Sequence, residues 1–140
     1  MPSPAVPYLL EFPRLGAPDI GYIAVGEQQR PPLPFVVQRA YWTYHTPESI
    51  LRGRHAHRHT EQVLIAVAGR IIVTTELADG TLQTFLLKDP FVGLYVPPGC
   101  WHTMQYGQAA VQLVLASTPY NESDYIRDYA EFQRLWTAPQ

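Results

Sequence analysis

From Phe35 onward the chain is written in short runs of β-branched and aromatic residues, among them VVQRAYWTY, QVLIAVAG, RIIVTTEL, TLQTFLL, FVGLYV and AVQLVLAS, separated by Gly, Pro or Asp-Gly. Such runs between turn formers predict the strands of an antiparallel barrel or sandwich. The Asp79-Gly80 pair between RIIVTTEL and TLQTFLL predicts a hairpin with a two-residue type I′ turn, which needs positive φ at both central positions. Upstream the texture differs: eight of the fourteen prolines fall in the first 35 residues. That density disfavours helix and predicts an extended arm carrying one strand around Ile20 to Val25. After Pro119 the spacing becomes helical. Tyr125, Tyr129, Phe132 and Trp136 recur at intervals of four, three and four, behind an Asn121-Glu122-Ser123-Asp124 start that can supply an N-cap. One C-terminal helix packing on the barrel is the expectation. The division is therefore an arm over 1–35, a barrel over 36–118, and a helix and tail over 119–140 belonging to the same domain.

Composition narrows the partners. A chain of 140 residues with 46% hydrophobic content supports one core and is too short for two ordinary domains. Ten Lys+Arg against twelve Asp+Glu leave a net charge of -2, which argues against nucleic acid or an anionic membrane as partner. The single cysteine, Cys100, excludes an intrachain disulfide framework and a structural thiolate-zinc cluster and fits a reducing cytoplasm. The start has no cationic segment leading into an apolar run, and no stretch approaches the length of a membrane span, so a soluble cytoplasmic protein is expected.

The candidate chemistry is concentrated in histidines. His45, His55, His57 and His59 lie within fifteen residues, and the centre of the cluster reads RGRHAHRHTEQ. On a strand, side chains alternate faces, so His55 and His57 point the same way about 6.6 Å apart while Ala56 points away. His45, beside Thr46-Pro47, and His59 are expected at the surface. A second segment, GLYVPPGCWHTM, sets Pro97, Gly99 and His102 in a P-x-G-x-x-H arrangement. Together with the spacing of Gly53, His55, His57, Gln62 and Gly69, it resembles the paired sequence boxes of the cupin superfamily. That resemblance implies an all-β, single-domain cupin (RmlC-like jelly-roll) barrel with a short C-terminal helix, in which His102 faces His55 and His57 across the interior. A cupin metal site uses three histidines and a carboxylate. Here Gln62 stands where the carboxylate belongs, and Glu61 should point to the opposite face, so no metal is expected. Free imidazoles with ordinary pKa values near 6.5 suit proton transfer at neutral pH.

A narrower likeness follows. RGRHAHRHTEQVL, GLYVPPGCWHTM and LVLASTPYNESDYIRDYAEF resemble the corresponding segments of the sugar 3,4-ketoisomerase family (FdtA/QdtA/WxcM-like), over roughly Arg39 to Phe132. The resemblance implies conversion of a dTDP-linked 4-keto-6-deoxyglucose to its 3-keto isomer without metal or cofactor, by homodimers in which an N-terminal strand can cross to the partner. It implies His55 and His57 as proton carriers. We read His57 as base for the carbon-bound proton, His55 as shuttle between O4 and O3, and His102 as orienting or polarising the sugar oxygens. His102 also points to the galacto rather than the gluco product. Arg52 and Arg39 are candidates for the diphosphate, Tyr41 for thymine or a sugar oxygen, and Gln62 and Trp101 for further substrate contact. Arg127 is read as structural, paired with Asp124 and Asp128. A metal-dependent cupin such as an oxygenase, a 3,5-epimerase acting on the same sugar, and a non-catalytic sugar-binding cupin are the alternatives.

Overall fold

The computed structural model describes residues 5–28 and 30–137; the side chain of Trp136 lies outside the described residues. The strands in chain order are β1 (Tyr8–Glu11), β2 (Arg14–Ala17), β3 (Gly21–Ala24), β4 (Arg39–Thr43), β5 (Leu51–His57), β6 (Gln62–Glu76), β7 (Leu82–Leu87), β8 (Val92–Val96), β9 (Trp101–Ala116) and β10 (Tyr125–Ile126). A short 3-10 turn at Glu122–Asp124 precedes β10, and α1 spans Tyr129–Thr137.

Two long strands organise the barrel. β6 and β9 pair antiparallel from Gln62↔Ala116 to Glu76↔Trp101. Both bend midway, where Gly69 (φ 68°) meets Gln108 and Ala109 (φ 57° and 53°). Only glycine fits at 69, since a Cβ there would lie 2.6 Å from the Ala110 Cα. On one side of the bend the pair joins β8, β1 and β4; on the other it joins β7, β5 and β10. One continuous sheet thus curls into two facing layers, the all-β barrel expected from the strand rhythm.

Alternation sorts the side chains. Leu64, Ala66, Ile71, Val73, Leu94, Met104, Tyr106 and Val114 fill the interior. Val63 and Ile65, facing outward, are buried too, because Leu10, Phe12, Leu33 and Phe35 of the arm cover them. This second cover explains why VLIAV is unbroken by polar residues. Burying one such Leu or Ile contributes about 1.5–3 kcal/mol. On the far side, α1 lays Phe132 against Ala56 and Ile126, with Trp101 at the edge.

Three expectations change in detail. Among the described residues the arm carries three strands rather than one: β1 pairs with β8, and β3 forms a ribbon with β2 that no other strand joins. The Asp79-Gly80 hairpin is present, but its turn bond runs from Gly80 N–H to the Leu77 carbonyl, and only Gly80 has positive φ (88°). Asp79 instead accepts from the Thr81 N–H through its side chain. The expected C-terminal helix begins only at Tyr129, with Asp128 accepting from the Ala130 N–H as its cap, because Tyr125 and Ile126 pair with His57 and Ala56 as a strand. Asn121 caps the 3-10 turn instead.

Candidate active site

A bulge at Arg54 sets up the site. Up to Gly53 the β5 residues pair in step with β9; beyond Arg54 the register has shifted, and His55 lies opposite His102. Gly53 (φ 84°) and Arg54 (φ 59°) both sit in the left-handed region. The interruption preserves the predicted relation: His55 and His57 face inward, Ala56 outward. Ring centroids are 4.9 Å apart for His55–His57, 4.7 Å for His55–His102 and 6.0 Å for His57–His102. All three imidazoles are buried.

Hydrogen bonds fix their tautomers. His55 Nδ1 lies 3.1 Å from the Gly53 carbonyl and His102 Nδ1 lies 3.1 Å from the Cys100 carbonyl; a carbonyl only accepts, so both nitrogens carry the proton. His57 Nδ1 lies 3.3 Å from Oδ2 of Asp124. Burial tends to raise the Asp124 pKa, but donors from Thr60, the His59 and Thr60 backbone and His57 outweigh it and hold the carboxylate below its usual range. It therefore accepts from His57. Each imidazole is left with an unprotonated Nε2, and those of His55 and His57 are buried with no partner among the described residues. Burial, with the neighbouring imidazoles adding to it, pulls His55 down to about 2. His57 is pulled down by burial and His102 to about 4, against the opposing pull of Asp124, and His102 is lowered by burial. All three are neutral at pH 7, each with the lone pair of Nε2 uncommitted to a proton.

The cavity beside them holds about 70 Å³ and is lined by His55, His102, Tyr41, Gln62 and Arg52, among others. His57 is not on that wall; its ring packs against His55 and, at 4.4 Å, Tyr125. Gln62 donates from Nε2 to the Tyr41 hydroxyl at 2.9 Å, leaving the tyrosine proton free for another acceptor. Burial raises Tyr41 to about 12, so that proton stays in place. Arg52 reaches the wall from an exposed position. Arg39 is half-buried behind Tyr41, donating to the Tyr125 hydroxyl at 3.4 Å, with its Nε unpartnered among the described residues.

The remaining predicted residues separate cleanly. His45 and His59 are at the surface, and Glu61 points away from the cavity, accepting from Tyr95. Trp101 is turned from His102 and packs on Tyr129 and Phe132, so it does not line the cavity. Arg127 pairs with Glu122 at 2.7 Å and not with Asp124 or Asp128. Asp124 is the residue that sequence reasoning missed: its contact to His57 spans 67 positions, and no local spacing encodes it.

The three imidazoles each offer a ring nitrogen within 4.8 Å of the others, a possible ligand set, and each Nδ1–H is anchored as in metal-bound histidines. The neutral Gln62 gives this set no anion, which weakens it for a divalent cation.

A family model described as FdtA: WxcM-like, C-terminal, matches residues 7–137. A TDP-4-oxo-6-deoxy-alpha-D-glucose-3,4-oxoisomerase of Aneurinibacillus thermoaerophilus is 40% identical over 114 residues, 80% of this chain and 79% of that protein. The structure of a 3,4-ketoisomerase from Helicobacter canadensis superposes with a TM-score of 0.86 at 34% identity, covering 92% of this chain and 96% of that one. QdtA, a sugar 3,4-ketoisomerase from Thermoanaerobacterium thermosaccharolyticum solved with TDP, gives 0.87 at 32% identity, covering 93% of each. A variant of QdtA has been solved holding TDP-4-keto-6-deoxyglucose.

Proposed function

We infer the function of this chain from its family: it belongs to the FdtA (WxcM-like, C-terminal) family and is a TDP-sugar 3,4-ketoisomerase. The observation that carries the chemical reading is the convergence of three unprotonated Nε2 atoms beside a tyrosine that can still donate. In a 4-keto sugar the C3 hydrogen is α to the carbonyl. Its removal gives an enediolate with charge on O4; moving the O3 proton to O4 and delivering a proton to C4 leaves the carbonyl at C3. Atoms and electrons balance within substrate and side chains.

The geometry supports exchanging the two roles read from the sequence. His55 lines the cavity and is the better placed to take the C3 proton and return it to C4. His57, set deeper and backed by Asp124, is suited to shuttle the proton between O3 and O4. With its N–H committed to Cys100, His102 accepts from a sugar hydroxyl; it orients rather than polarises. Tyr41 donates to the enediolate oxygen, whose charge it stabilises in a site where such bonds strengthen. Arg52, and Arg39 from behind Tyr41, supply cations for the diphosphate.

The product is the galacto isomer on this reading, on the strength of His102, and the enzyme works in the cytoplasm. It is a homodimer. The β2–β3 ribbon exposes Leu15 (62%), Ile20 (79%) and Ile23 (65%), and a two-stranded ribbon is marginal alone, which supports its covering by, or exchange with, a second copy. Incubation with TDP-4-keto-6-deoxyglucose and proton NMR of the product tests the function. A 3-keto sugar with a small coupling at C4 supports the galacto reading, a large coupling replaces it with gluco, and an unchanged sugar refutes the activity.

A further inference from the structure

Asp124 holds more than one imidazole. Its Oδ1 accepts from the His59 N–H (2.8 Å) and from His59 Nδ1 (3.2 Å); its Oδ2 accepts from the Thr60 N–H (3.2 Å), the Thr60 hydroxyl (2.5 Å) and His57 Nδ1 (3.3 Å). Its own carbonyl accepts from the Arg58 N–H at 2.8 Å. The carboxylate is thus fixed from both ends against residues 57–60, with every donor on β5 or the turn after it. His57 is 2% exposed, so water does not compete for its Nδ1.

We propose that Asp124 is the positioning residue of this site, locking His57 as the Nδ1–H tautomer so that Nε2 faces the other two imidazoles as an acceptor, and stabilising the imidazolium when His57 takes a proton. The function of that proton in turnover rests on the ketoisomerase reading; the tautomer does not. A neutral His57 with its proton on Nε2 would present a donor where a base is required. The low pKa of Asp124 agrees with a carboxylate that stays charged throughout.

Asp124→Asn is a sharp probe because each carboxylate oxygen faces a backbone N–H. The amide NH₂ must oppose one of them. Oδ1 has the shorter backbone bond, so the NH₂ goes to the Oδ2 side, where Thr60 Oγ1 and a deprotonated His57 Nδ1 can accept. That placement moves the His57 proton to Nε2.

The test is ¹⁵N NMR of histidine-labelled wild-type and Asp124→Asn protein, with kcat, KM and TDP affinity measured alongside. The expected wild-type signal is Nδ1–H at His57. The variant should show Nε2–H, a kcat loss of about a hundredfold or more, and KM and TDP affinity within about a factor of three. Unchanged tautomer in the variant, or a kcat within a few-fold of wild type, overturns the proposal. If the variant fails to fold, the wild-type spectrum decides: Nε2–H at His57 overturns it and Nδ1–H supports it. A tautomer that switches as expected in a protein with no ketoisomerase activity would sink the functional reading and leave the role of Asp124 standing.

Discussion

His55 and His102 face each other across β5 and β9 with rings 4.7 Å apart because Arg54 is one residue more than β9 has to match. The bulge depends on Gly53, whose φ of 84° would put a Cβ 2.9 Å from the His102 carbonyl oxygen and the Met104 Cε. Gly53→Ala should therefore lose about 2 kcal/mol or more of stability, from left-handed strain and the clash together. Denaturant titration checks this. Turnover should fall further than the folded fraction, because the change displaces His55 itself.

Stability should depend on pH in a defined window. His57 is held at about 4 and His55 at about 2, both below 6.5, so below pH 6.5 the unfolded chain binds protons that the folded chain refuses. The stability these neutral imidazoles contribute is complete above pH 6.5 and is lost as pH falls, down to about 4 for His57 and about 2 for His55, at up to about 1.4 kcal/mol per pH unit for each group. Urea titrations at several pH values should show that slope, and a His55→Gln, His57→Gln double variant should reduce it to the share of His102, whose pKa burial also lowers. Asp124 acts in the same direction only below its unfolded pKa, near pH 4, so the slope between pH 6.5 and 4 belongs to the imidazoles.

The two box histidines should fail differently. His55→Gln should stop exchange of the C3 hydrogen with deuterated solvent and lower kcat by about 10²–10⁴. His57→Gln should lower product formation while C3 exchange continues. Both variants should bind TDP nearly as wild type. The reverse pattern, exchange lost in His57→Gln and kept in His55→Gln, would return the carbon base to His57.

A divalent transition metal should inhibit. Chelator-treated protein is expected to keep its turnover, and added Zn²⁺ to suppress it by engaging the three Nε2 atoms. His102→Gln should weaken Zn²⁺ binding by calorimetry. Turnover that vanishes on chelation and returns with a metal would replace the acid–base account with a metal-dependent one.

Much of this architecture is written locally. Period-two alternation placed His55 and His57 together and Ala56 apart, and the turn residues located the Asp79-Gly80 hairpin. The same rule puts Trp101 on the opposite face from its neighbour His102, a signal that outweighs its place beside a site histidine. What failed was long-range. The spacing of Tyr125 fits a helix until β5 offers it a strand partner, and Arg127 finds Glu122 because the chain there is a 3-10 turn and strand instead of a helix. Asp124 is invisible as a partner of His57 until β10 lies down on β5.

The most direct test follows the sugar itself: TDP-4-keto-6-deoxyglucose with metal-stripped enzyme in deuterated water, with C3, C4 and C5 monitored by proton NMR. The account predicts a 3-keto product formed with the C5 hydrogen untouched. Exchange at C5, or a sugar that stays unchanged under conditions where TDP binds, would contradict it.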